Sequence, residues 1–172
     1  IDALTNFKVT KPNNITYADG AGKIEGALWL EYPAEFITSV PKFVLSFDFK
    51  LTQTGLTHRG ESIFSFVAGG SAYNWLVKYY EADKVLSTSD GARNENNSVP
   101  AELNKWYNLT AIVDTATNNI NVYIDGVSLG TRQLPDHTNA TYGGKFELRF
   151  FDGKSNGVST PIFDNFKMIE IK

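Results

Sequence analysis

Acid–base cleavage of a bond takes a pair of titratable groups, and the nearest carboxylate pairing in this chain is Glu81-Ala82-Asp83. It stands at the end of a strand-like run, where a solvated turn accounts for it. The two histidines, His58 and His137, both sit in turn-like surroundings. Cysteine is absent, so thiol chemistry and disulfides are excluded. No Ser–His–Asp order, phosphate-cradling glycine loop or zinc-ligand spacing stands out.

The polar faces of the strands are richer. Lys78 and Tyr80 alternate with Val77 and Tyr79, and Glu147, Arg149 and Phe151 alternate with Phe146, Leu148 and Phe150. A strand sends successive side chains to opposite faces. If the apolar sets fill a core, Arg149, Lys78, Tyr80, Glu147 and Phe151 line an open surface, with charged donors for hydroxyls or carboxylates and a ring for stacking. Arg59 and the polar segment 90–98, read as an exposed loop, add Arg93 and Asn94 as further polar candidates for binding a ligand. Trp75, by its spacing to Val77 and Tyr79, is expected in the core, and Trp106 is expected to have a structural role.

The elements that must hold these groups are strands. Phe43, Leu45, Phe47 and Phe49 alternate with Val44, Ser46, Asp48 and Lys50. The same period recurs at Tyr107, Leu109, Ala111 and Val113, and at Ile120, Val122 and Ile124. Further strands are predicted over 27–32, 62–67, 75–81, 85–89 and 163–171. Residues 115–118 join two strands, and Asp125-Gly126 signals a two-residue hairpin. No alternation of strands with helices supports a parallel sheet. The 172 residues, with 42% hydrophobic and 13% aromatic content, suit one all-β domain over residues 1–172. The architecture expected is a two-sheet antiparallel sandwich.

The charge of −3 and pI near 5.4 carry no footprint for nucleic acid. No apolar run is long enough for a membrane helix. The chain starts at Ile1, as a processed form or an excised module would, and a monomeric module tethered to other domains is expected.

The segment LNKWYNLTAIVDTATNNINVYIDGVSLG, residues 103–130, resembles the central hairpin of the concanavalin A-like, laminin-G-like jelly rolls. In that family a Trp opens a strand and the partner strand ends in Tyr-x-Asp-Gly, matched here by Trp106, Tyr123, Asp125 and Gly126. The ending Phe163-Asp164-Asn165-Phe166-Lys167-Met168 is similar to its closing strand. The resemblance implies a jelly roll and a carbohydrate partner, a polysaccharide or oligosaccharide, in a secreted or cell-surface and bacterial setting. It also implies a structural Ca²⁺ held by Asp164, with Asp2 as a second carboxylate. Glucanases of the family carry Glu-x-Asp-x-x-Glu and alginate lyases carry Gln-x-His on a strand, and this chain has neither. The expectation is therefore a non-catalytic carbohydrate-binding module. A lyase or glycanase using Tyr80, Arg149 or His58 is the first alternative, and an adhesion or spacer domain is the second.

Overall fold

A computed structural model describes residues 8–11, 15–18, 21–24, 28–32, 40–52, 61–68, 72–89, 93–133, 146–150 and 161–172. Side chains are described at 40–52, 63–64, 77–88, 97–133 and 162–172. The elements are β1 (Lys8–Lys11), β2 (Ile15–Ala18), β3 (Ala21–Ile24), β4 (Leu28–Tyr32), β5 (Lys42–Leu51), β6 (Glu61–Ala68) and β7 (Ala72–Tyr80). They continue with β8 (Val85–Ser89), β9 (Arg93–Pro100), β10 (Tyr107–Asp114), β11 (Asn119–Ile124), β12 (Val127–Gln133), β13 (Phe146–Phe150) and β14 (Pro161–Glu170). Among the described residues there is no helix.

Two antiparallel sheets of seven strands face each other. One runs β1-β4-β13-β6-β7-β8-β9, the other β12-β11-β10-β5-β14-β3-β2. Period-two patterning explains why these strands bury one face only. Phe43, Leu45, Phe47 and Phe49 are fully buried, as are Leu109, Ala111, Val113, Ile120, Val122 and Ile124, while Ser46, Asp48, Thr110 and Asn121 are half-buried. Phe47 ties the two sheets together. Its ring lies 5.3 Å from that of Phe64 on β6 of the facing sheet, and 5.5 Å from that of Phe163 on β14 beside it.

The turns are as the residue types demand. Asp125 and Gly126 have φ of 49° and 78°, the left-handed pair of a tight hairpin between β11 and β12. The β10–β11 turn is closed by Asp114, whose Oδ1 accepts from Thr117 N at 3.0 Å. That bond, before the charge of Lys42, holds the Asp114 carboxyl below the ordinary carboxylate range.

Three expectations need revision. The segment 90–98 is not a loop throughout, because Arg93–Pro100 forms β9, an edge strand paired with β8. Its polar run lacks a buried-face pattern, and an edge strand needs only one partner. Trp106, expected to have a structural role, stands at the surface rather than in the buried core. It precedes β10 and is 40% exposed, with Lys50 Nζ 4.8 Å from its ring centroid. Tyr107 is the buried aromatic there, its hydroxyl accepting from Glu102 N at 2.8 Å. Lys78 is only 9% exposed, where simple alternation opens it to solvent. Strands on both sides flank it, with Ser62 of β6 and Ser87 of β8 in register.

Candidate functional site: one face of the β4–β13–β6–β7 sheet

The register of the first sheet places the candidate residues. Phe150 pairs with Phe64, and Phe64 with Val77. Phe64 and Val77 are fully buried, so this row belongs to the core side. One residue along, Arg149 pairs with Trp29 on β4 and with Ser65 on β6. Pleating places that row on the opposite face of the sheet.

On β7 a register shift changes what the sequence period implies. Between Phe64/Val77 and Ser65/Trp75 the ladder skips Leu76. An extra residue of this kind reverses the side on which the following positions fall. Position 75 therefore leaves the row of Val77 and joins that of Ser65 and Arg149. The expectation that Trp75 shares a core face with Val77 and Tyr79 does not survive this shift. Lys11 pairs with Trp29 at the far end. The row thus reads Lys11, Trp29, Arg149, Ser65, Trp75 across five strands.

The equivalent row two residues further along reads Lys8, Glu31, Glu147, Val67, Tyr73. Glu31 and Glu147 are direct cross-strand partners, an arrangement that like charges disfavour. Lys8 is the register partner of Glu31 on β1, and Arg149 stands two residues from Glu147 on β13.

The other candidates lie apart. Lys78 and Tyr80 are on β7, with β6 between them and β13. Tyr80 stands five positions beyond Trp75, roughly 16 Å along the strand. It is half-buried and pairs with Val85. Arg93 and Asn94 begin β9 at the sheet edge, with Arg93 in register with Ser89. Arg59, Phe151 and Asp2 lie outside the described residues, as do His58 and His137. Glu81 and Asp83 form the β7–β8 turn, as the spacing predicts. Glu81 is nonetheless half-buried, and its Oε2 is shielded from solvent without a hydrogen-bond partner among the described residues. Burial first, and the charge of Glu81 second, push the hydroxyl of Tyr79 above the usual tyrosine range.

The outer face of the second sheet is polar but internally satisfied. Asp48 accepts from Asn108 Nδ2 at 2.7 Å and from Asn165 Nδ2 at 2.6 Å. Asn108 Oδ1 accepts from Thr110 at 2.9 Å. Asn165, at φ 52°, sits in the β14 irregularity beside Asp164, which brings its amide to Asp48. Asp164 Oδ1 accepts from Asn165 N at 2.7 Å. In register, Asp164 pairs with Asp48 on β5. No cluster of three His, Cys, Asp or Glu occurs among the described residues.

Neither Trp29 nor Ser65 stands out in the sequence as a partner of Arg149. The period of a single strand says which residues share its face, not which residue of the next strand lies opposite.

A family model described as the concanavalin A-like lectin/glucanases superfamily matches residues 41–162. Among curated proteins no relative matches. Solved structures are similar in fold at low identity. A Trypanosoma rangeli sialidase in complex with 2,3-difluorosialic acid aligns over 92% of this chain and 27% of its own, at 15% identity and a TM-score of 0.63. A carbohydrate esterase from the Shiga toxin-encoding bacteriophage phi24B aligns over 98% of this chain and 92% of its own, at 16% identity and a TM-score of 0.57. A botulinum neurotoxin type C structure, described as dependent for cell entry on two ganglioside molecules, aligns over 96% and 44%, at 12% identity and a TM-score of 0.56. The chain spans about a quarter of the sialidase it matches.

Proposed function

We propose that this chain, which belongs to the concanavalin A-like lectin/glucanases superfamily, is a non-catalytic carbohydrate-binding module of a secreted or cell-surface protein. The observation that carries the proposal is the row Trp29, Arg149, Ser65. A charged donor with aromatic and hydroxyl chemistry in register is what sugar recognition uses: a ring against the apolar face of the pyranose, and polar groups fixing its hydroxyls.

Relatives in fold supply context for the ligand class. They include a sialidase in complex with a sialic acid derivative, a neurotoxin whose cell entry depends on gangliosides, and a carbohydrate esterase. An enzyme is the rival function, since fold alone does not decide between binding and turnover.

A glycan array run beside turnover assays on the same glycans tests the proposal. Binding of at least one polysaccharide class is expected, without new reducing ends and without the ultraviolet absorbance of an unsaturated uronate. Product formation would establish the enzyme. Silence across the array would favour the spacer and end the carbohydrate proposal.

A further inference from the structure

Resting on the carbohydrate-binding proposal, we infer that the ligand is an acidic oligosaccharide, its carboxylate met by Arg149 between two stacking positions, Trp29 and Trp75. The inference comes from the juxtaposition in the ladder. Trp29 is the immediate register neighbour of Arg149 on β4, and Trp75 follows one strand beyond Ser65. Adjacent strands lie about 4.8 Å apart, so the two tryptophan positions are separated by roughly 14 Å across the sheet. That is the reach of several linked sugar rings, with the arginine one strand from one end.

Charge favours an anion. Over this row and its neighbour three cations, Lys8, Lys11 and Arg149, stand against two carboxylates, Glu31 and Glu147. The chain as a whole carries −3. A local cationic excess on an acidic protein concentrates anionic ligands at that face. Within the row itself every charged position is cationic. A guanidinium is the side chain whose planar fork matches a carboxylate with two parallel hydrogen bonds. A neutral glycan would leave that capacity unused. Carboxylate-bearing sugars come as uronates and as sialic acids, which share the chemistry that position 149 recognises.

Calorimetric titration of the wild-type chain with three oligomers of matched length decides the matter: a galacturonate tetramer, an α2,8-linked sialic acid tetramer and a neutral galactose tetramer. At least one acidic oligomer is expected to bind about tenfold or more tighter than the neutral one, with rising salt eroding the difference. Whichever acidic oligomer prevails identifies the source of the carboxylate. Arg149→Gln should abolish the acidic preference. Trp29→Ala and Trp75→Ala should each weaken the acidic oligomer about tenfold, with Trp→Phe at each position restoring most of it. The Phe variants separate lost stacking from lost folding. Equal binding of neutral and acidic oligomers would overturn this inference and leave carbohydrate binding standing. Acidic preference unchanged in Arg149→Gln would overturn it also. No binding of any oligomer, from these three to the full array, would remove both.

Discussion

Phe47→Ala should destabilise the fold by about 3–5 kcal/mol, the cost of deleting a large aromatic from a packed interior. Phe47 is the third of five buried phenylalanine and leucine positions on β5, a strand hydrogen-bonded on both sides, to β10 and β14. No part of its side chain meets solvent. Its ring contacts come from its own strand, from β14 and from the opposite sheet: Phe49 at 6.2 Å, Phe163 at 5.5 Å, Phe166 at 6.3 Å and Phe64 at 5.3 Å. Truncation removes the transfer energy of the ring and leaves a cavity that rigid sheets cannot collapse to fill. Urea denaturation measures the loss. A change below about 1 kcal/mol, the scale of ordinary surface effects, would mean that the two sheets do not pack on Phe47.

Arg149→Ala should weaken binding of the array-identified glycan by about 1–3 kcal/mol, the scale of a charge-assisted hydrogen bond, which is about 5- to 150-fold in affinity. The melting temperature should stay close to wild type. Arg149 falls in the row opposite the buried Phe64–Val77 row, so its loss opens no interior cavity. Tyr80→Ala serves as the spatial control. Tyr80 is separated from the Arg149 row by roughly 16 Å along β7, and a short ligand bound at Arg149 should lose little affinity. Calorimetry on both variants distinguishes a site on this row from one spread along β7. Equal, large losses would mean a ligand that spans both. Loss in neither, with loss in Arg93→Ala, would move the site to the β9 edge.

Much of the fold was legible because its strands obey a period of two. Phe43 to Phe49, Tyr107 to Val113 and Ile120 to Ile124 each write their buried face directly into the sequence. Asp125-Gly126 was legible for a different reason: the residue pair itself tolerates the positive φ that a tight hairpin requires. The short strands β1, β2 and β3, of four residues each, were not. Four residues give two alternations, too few to stand out from chance. β9 was hidden by a run of asparagine and serine, residues that favour turns in isolation but pair with β8 in the sheet.

The candidate site was legible only in part. Arg149 could be assigned to the face opposite Phe150 from its own strand. Its neighbours could not be assigned, because they depend on which strands pair and in what register. Lys78 and Tyr80 would stand beside Arg149 only if β7 and β13 were neighbours, and β6 lies between them. The shift at Leu76 is the second cause. It breaks the alternation that links Trp75 to Val77, and nothing in the residue types around Leu76 announces it.

Glycan is proposed to bind to the face of the first sheet that carries Arg149. Backbone amide chemical shifts, followed by NMR as the array-identified glycan is added, locate it. The largest shifts are expected at positions 29, 149, 65 and 75, which share one register row on β4, β13, β6 and β7. Shifts concentrated instead on the second sheet, around Asp48, Asn108 and Trp106, with the Arg149 row unmoved, would contradict it.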